Sequence, residues 1–253
     1  HRDLHSFPTR RSSDLFPHIP MSLALTPNTE NLVVSLRRRS STDVEGEGTL
    51  MVLDPETLAI RREFDVAMDP EDILATDAGL LIAASGSGQW TAVSSFQVET
   101  GAELGSSPIY YHGRLALHPS QQTFYVSTTA QNPPALTRFD LSPSTGEITV
   151  RGSTGSANGA AFPAPSGTEL ISASGTLLRT SDDAQDLRDI RQIAQASIRD
   201  AHFDTAHGLV FAIGNPWVSS DAALLRFDSA YALTESLPLA PSTAYLHAAP
   251  PSL

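Results

Sequence analysis

The chain has 253 residues, a net charge of −12 and no cysteine, with 40% hydrophobic and 17% charged residues. That composition suits one large folded domain; it excludes disulfides, thiol nucleophiles, iron–sulfur clusters and cysteine zinc sites, and its acidity argues against a general nucleic-acid or anionic-membrane binder. All 16 basic residues are arginine, which excludes a Schiff-base or P-loop lysine, and no apolar run approaches the roughly 18 residues that a bilayer span requires.

Residues 1–15 stand apart from the rest of the chain. Ser6–Leu15 resembles the in-frame translation of a sequencing-library adapter, and the segment has no apolar core of the kind a signal peptide carries. The native N-terminus, and with it any export signal, is therefore expected upstream, and residues 16–253 are read as the domain. From there the chain repeats. A turn residue comes after each short inner strand at Pro27, Asp77, Pro119, Pro163, Asp204 and Pro250, spaced by 50, 42, 44, 41 and 46 residues. A period in that range is the mark of propeller blades.

Each of the first five markers is succeeded by a second strand: Leu32–Ser35, Leu80–Ala84, Phe124–Ser127, Leu170–Ala173 and Leu209–Ala212. Third strands lie at Leu50–Asp54, Ala92–Val98, Leu136–Asp140, Leu177–Arg179 and Leu224–Asp228. After these come turns rich in Pro, Asp and Gly, then an outer strand. Ser181–Ile198 shows both a helical spacing of Leu187, Ile190 and Ile193 and the place of an outer strand; the period favours the strand, with a short helical turn at Asp182–Gln185. The expected fold is all-β, a propeller of four-stranded antiparallel blades. Five blades and the first strand of a sixth are counted, so the chain is expected to be part of a propeller of six to eight blades, with seven favoured.

The run Leu136–Thr149, Leu-Thr-Arg-Phe-Asp-Leu-Ser-Pro-Ser-Thr-Gly-Glu-Ile-Thr, together with Leu115–Ser127, resembles the YVTN-type repeats of bacterial surface propellers. It is also similar to blades of the seven-bladed lactonase family. The matching residues are core and turn positions, so the resemblance bears on fold more than on function. It implies a periplasmic or secreted protein, and it supplies lactone hydrolysis as an alternative activity.

Loops that enter the inner strands line one end of a propeller's channel. Counting back five residues from each marker puts Ser22, Asp72, Arg114, Asn158, Arg199 and Tyr245 at that mouth. Of these, Asp72, Arg114, Asn158 and Arg199 form the candidate binding set, suited to a small polar or anionic ligand or to a protein; simple solvation of a wet mouth is the bland reading. His112, His118, His202, His207 and His247 fall at different registers and cannot all converge, so no metal site is assigned, and no cofactor is expected. His202 with Asp200 and Asp72 is kept as a possible site; in the alternative hydrolase His202 or a carboxylate such as Asp200 would activate water, and Arg114 or Arg199 would hold an acidic substrate. The acidic run Asp69-Pro70-Glu71-Asp72 reads either as oxygen ligands for Ca²⁺ or as a solvated turn. Arg37–Arg39 is expected to pair with the acidic loop 43–47. Trp90 and Trp217 are read as partner contacts or as plugs between blades. No nucleophile-elbow or His-Glu-x-x-His motif is present. The leading expectation is a non-catalytic binding or scaffold module.

Overall fold

The computed structural model describes residues 18–38, 47–110, 112–128, 134–155, 159–180, 187–216 and 221–239. Among them the chain forms five four-stranded antiparallel sheets and no helix. The first sheet is β1 (Ile19–Leu25), β2 (Leu32–Arg37), β3 (Gly48–Leu53) and β4 (Ile60–Val66). The second is β5 (Pro70–Ala75), β6 (Leu80–Ser85), β7 (Trp90–Gln97) and β8 (Glu103–Tyr110). The third comprises β9 (Gly113–Leu117), β10 (Thr123–Thr128), β11 (Ala135–Leu141) and β12 (Ile148–Thr154). The fourth has β13 (Ala161–Pro163), β14 (Glu169–Ser172), β15 (Thr176–Arg179) and β16 (Arg188–Gln192), and the fifth β17 (Ala196–Asp204), β18 (Leu209–Pro216), β19 (Ala223–Phe227) and β20 (Leu233–Pro238). Strand order matches chain order in every sheet, so this is the propeller architecture expected from the repeat. The last repeat marker, with Tyr245 and His247, lies outside the described residues, as do Asn158, Trp217 and residues 1–17.

The second strands of the three middle sheets sit between two neighbouring sheets and are covered on both faces, which is why they read as unbroken apolar runs rather than alternating ones. All six residues of β6 and of β10 are buried. Outer strands alternate or lie exposed, as in β4 and β20. The core is accordingly divided into layers between sheets. Val33, Val52, Ile73 and Leu81 pack the first sheet on the second, and Ile82, Val93, Phe124 and Phe139 pack the second on the third. Tyr125, Leu136, Leu170 and Leu178 join the third and fourth; Ile171, Leu177, Ala212 and Phe227 join the fourth and fifth. Away from the mouth, side chains of the first hairpin turns add a polar belt: Asp77 accepts from the Asn28 N–H at 2.7 Å, and the Asp77 N–H donates to Gln121 at 2.7 Å. His118 belongs to the same belt, its Nε2 donating to the Gly167 carbonyl at 2.8 Å.

Ser181–Ile198 resolves as the strand β16 at Arg188–Gln192, while Asp182–Gln185 lies outside the described residues. Two repeat markers are corrected by register. Pro163 is the last residue of β13, and its turn is closed by Ala164 pairing with Glu169, so Pro165 holds the place of Pro119. In the fifth sheet Asp204 is itself the last paired residue, opposite Leu209, so Thr205 holds that place. Two prolines two residues apart are equally good turn residues, and turn chemistry alone does not choose between them.

The turns between third and outer strands share one geometry. Leu58, Gly101 and Gly146 each donate an N–H across the turn at 2.8 Å, with φ of 57°, 71° and 73°. Glycine is required where the previous sheet presses in, since a Cβ at Gly101 would fall 2.5 Å from the Phe64 ring. Leu58 is exposed yet left-handed, which costs an L-residue about 1–2 kcal/mol. Leu58→Gly is expected to stabilise by about 0.5–1 kcal/mol and to raise the calorimetric Tm by roughly 1–4 °C. A lower Tm would show that the leucine's packing outweighs its backbone strain.

Candidate functional site

The inner strands β1, β5, β9, β13 and β17 begin at the mouth end. Register defects shape it. β1, β5 and β17 each carry a bulge, between Pro20 and Ser22, Pro70 and Asp72, and Ile198 and Asp200. A bulge leaves one residue outside the ladder and re-aims it; here these are Met21, Glu71 and Arg199. Ser22, Asp72, Arg114 and Asp200 then occupy one equivalent ring position, opposite Ser35, Ala84, Ser127 and Ile213. Arg199 therefore corresponds to Glu71 rather than to Asp72, and Ala160 takes the ring position in the fourth sheet that the count had given to Asn158.

Asp72 ties three inner strands together. Its carboxylate accepts from the Ser22 hydroxyl at 2.9 Å, the Leu115 N–H at 2.8 Å and its neighbour Ile73 N–H at 3.0 Å. Burial pushes its pKa up, and these donors with the Arg114 charge pull the other way. Both oxygens are engaged by the protein, so Asp72 positions the strands that carry the mouth.

The exposed chemistry gathers on Glu71, which sequence spacing did not connect to its partners. Glu71 Oε2 is paired with His112 Nδ1, and Oε1 lies 3.8 Å from Arg114 Nη2. A side chain on Gly86 would crowd Glu71, because its Cβ would lie 2.7 Å from Glu71 Cβ. His112 is held at φ 53° just before β9 begins at Gly113. Arg114 is 54% exposed and presents its guanidinium to solvent. Deeper in, Asp69 is 1% exposed, with Arg37 Nη2 2.7 Å from its carboxylate. Burial raises its pKa against the pull of that guanidinium. Arg38 pairs with Glu47 at 2.8 Å, the expected pairing across the loop, and also with Asp65; Arg39 and residues 43–46 lie outside the described residues.

The remaining candidates are dispersed. His202 is exposed on β17, two residues from Asp200, which accepts from the Ala201 N–H at 2.9 Å. His207 pairs with Asp204 at 2.8 Å in the turn at the opposite end. Among the described residues no group of three His, Asp or Glu side chains is arranged to hold a metal ion. The mouth thus offers an exposed guanidinium and an imidazole paired with a carboxylate, a set suited to holding an anionic or polyhydroxylated group.

No protein-family model and no curated protein sequence matches the chain. Solved structures do resemble it in shape. A putative 6-phosphogluconolactonase from Bacteroides uniformis has a TM-score of 0.61 at 16% identity, covering 87% of this chain and 72% of that one. The β-propeller domain of Myceliophteria thermophila Cps50 (Swd1) has a TM-score of 0.57 at 12% identity, covering 86% and 73%. Kuenenia stuttgartiensis hydrazine synthase has a TM-score of 0.58 at 16% identity, and the chain, 83% of it covered, spans 63% of that protein's length. At such identities the likeness is one of fold: the chain is a β-propeller whose neighbours include lactonase-like proteins.

Proposed function

We propose that the chain is a non-catalytic binding module of an exported bacterial protein, recognising a polar anionic ligand or a protein at its mouth end. The observation that carries this reading is the convergence of Arg114 and His112 on Glu71, with Arg114 half exposed. A planar guanidinium held beside a hydrogen-bonding imidazole matches a carboxylate flanked by hydroxyls. Export rests on the likeness of the repeats to those of surface propellers.

Sugar acids are the probe. Millimolar gluconate is expected to raise the Tm of the wild-type protein, and Arg114→Ala to weaken binding about tenfold or more, the worth of a charge-assisted pair. A wild-type protein whose Tm is indifferent to gluconate and to related aldonates would sink the anion-binding reading.

The second reading, a lactone hydrolase, is favoured by the Glu71–His112 pair, since a carboxylate that orients an imidazole is the arrangement of a general base. Arg114 would then hold an acidic substrate. Turnover of δ-gluconolactone above the uncatalysed rate, lost in His112→Ala, would establish it. Loss in His202→Ala or Asp200→Asn instead would move the base to the fifth sheet. Absence of turnover by the wild-type protein leaves binding as the function.

A further inference from the structure

Trp90 opens β7 at the mouth end and is 77% exposed, yet its neighbours hold it. Its cross-strand partner Tyr110 lies with ring centroids 5.1 Å away and planes at 85°, and Gln89 Nε2 donates to the Tyr110 hydroxyl at 2.8 Å. A perpendicular neighbour covers little of the indole, so most of the ring stands in water. An exposed aromatic that is already ordered loses little freedom on binding.

The indole borders two cavities. The larger, of about 620 Å³, lies between the second and third sheets. Its buried lining residues Ile109, Val126 and Phe139 are apolar, while Thr137 and Ser153, paired across β11 and β12 near the mouth end, bring two hydroxyls to it. No charged side chain is among its described lining residues. The smaller, of about 390 Å³, lies between the first and second sheets, with Ser87 and Thr91 at the Trp90 end. Its two acids do not meet a ligand there. Asp69 is sealed at 1% exposure, and Glu103 stands opposite Phe96 at the far end of β7 and β8. Among the described lining residues, Trp90 is therefore surrounded by neutral groups, hydroxyls above all.

We propose that Trp90 is the platform of a binding site for a neutral saccharide. A pyranose carries a face of C–H groups that packs on an aromatic ring, and a rim of hydroxyls that both donate and accept. It therefore needs an aromatic surface bordered by neutral hydrogen-bonding groups, which Ser87, Thr91, Thr137 and Ser153 supply. A hydroxyl has one donor and two acceptor positions, so the 3.4 Å bond from Thr137 to Ser153 leaves capacity for a ligand. An ion would find no accessible opposite charge at this end, and its lost hydration would go uncompensated. A wholly apolar molecule would bury those hydroxyls without partners. The site lies on the outer half of the second and third sheets, apart from the Glu71–His112–Arg114 cluster on the inner strands, whose guanidinium selects an anion instead.

Trp217→Phe leaves Trp90 as the only tryptophan, so its fluorescence reports on its own site. Titration of that variant, by fluorescence and by calorimetry, with neutral pentasaccharides of glucose, mannose, galactose and N-acetylglucosamine is expected to saturate with at least one of them. Calorimetry with that saccharide is expected to show a loss of about tenfold or more in Trp90→Ala. Trp90→Phe, which keeps an aromatic face, is expected to lose less, and Thr137→Val with Ser153→Ala to lose several-fold. Because the ligand is neutral, the affinity is expected to be equal at about 0.05 and 0.5 M salt. Trp90→Ala is expected to leave the gluconate response of the mouth unchanged, and gluconate is expected not to displace the saccharide. No saturable response to any of the four by either method, undiminished binding by Trp90→Ala, or binding that salt abolishes would each overturn the proposal. Displacement by gluconate, with an equal loss in Arg114→Ala, would place the saccharide at the mouth and overturn it as well.

Discussion

Phe139→Ala is expected to lower the stability of the protein by about 3–5 kcal/mol, the cost of removing a fully buried phenylalanine and leaving a cavity. Phe139 is 1% exposed and stacks on its cross-strand partner Phe124, with centroids 5.1 Å apart and planes 8° from parallel. The pair belongs to the layer that joins the second and third sheets, where Leu80, Ile82 and Val93 meet it from the other side. Inter-strand hydrogen bonds fix the rings' backbone, so the neighbouring sheets collapse little into the space. At that cost the Tm is expected to fall by roughly 10 °C, and Phe139→Leu, which keeps most of the volume, to cost less than half as much. Denaturant unfolding at unchanged slope would confirm an effect on stability alone. A loss below about 1 kcal/mol would mean that this layer is far less tightly packed than the described contacts require.

The layered core was legible because the second strands of the middle sheets are buried on both faces and show it as an apolar run, as in Leu80–Ala84 and Phe124–Ser127. The turn at Ser142–Gly146 was equally plain, since the left-handed position at its end requires glycine where Leu104 packs against it. Register was not legible. Asp204 is as good a turn residue as Thr205, but it is still paired opposite Leu209, one position short of the turn, so the count of five from it reached Arg199, whereas the ladder places Asp200 opposite Ile213. The mouth cluster was visible only in parts: Glu71, His112 and Arg114 each stood out, but their meeting depends on two sheets lying side by side, with Glu71 turned out of the ladder by its bulge.

Asp72→Ala is expected to destabilise the fold by about 3 kcal/mol near pH 4, because it leaves the Ser22 hydroxyl and the N–H groups of Ile73 and Leu115 without their acceptor at the junction of three inner strands. Its dependence on pH runs opposite to that of an ordinary paired carboxylate. Burial raises the folded-state pKa of Asp72 above the unfolded value of about 3.9. Within that window the folded chain binds more protons than the unfolded one, so this group's contribution is full below about pH 3.9 and declines as pH rises through the folded pKa. Asp54, whose pKa is lowered to about 2 chiefly by the Thr57 N–H, behaves in the usual sense: its contribution is present above the unfolded pKa and lost as pH falls through about 2. Since Asp54 is present in both proteins, it cancels from the difference between wild type and Asp72→Ala. That difference is therefore expected to shrink between pH 4 and pH 7 while remaining destabilising, as read by denaturant unfolding at a series of pH values. A difference that grows with pH would show that three donors and the Arg114 charge outweigh burial, making ionised Asp72 the favoured form at the mouth.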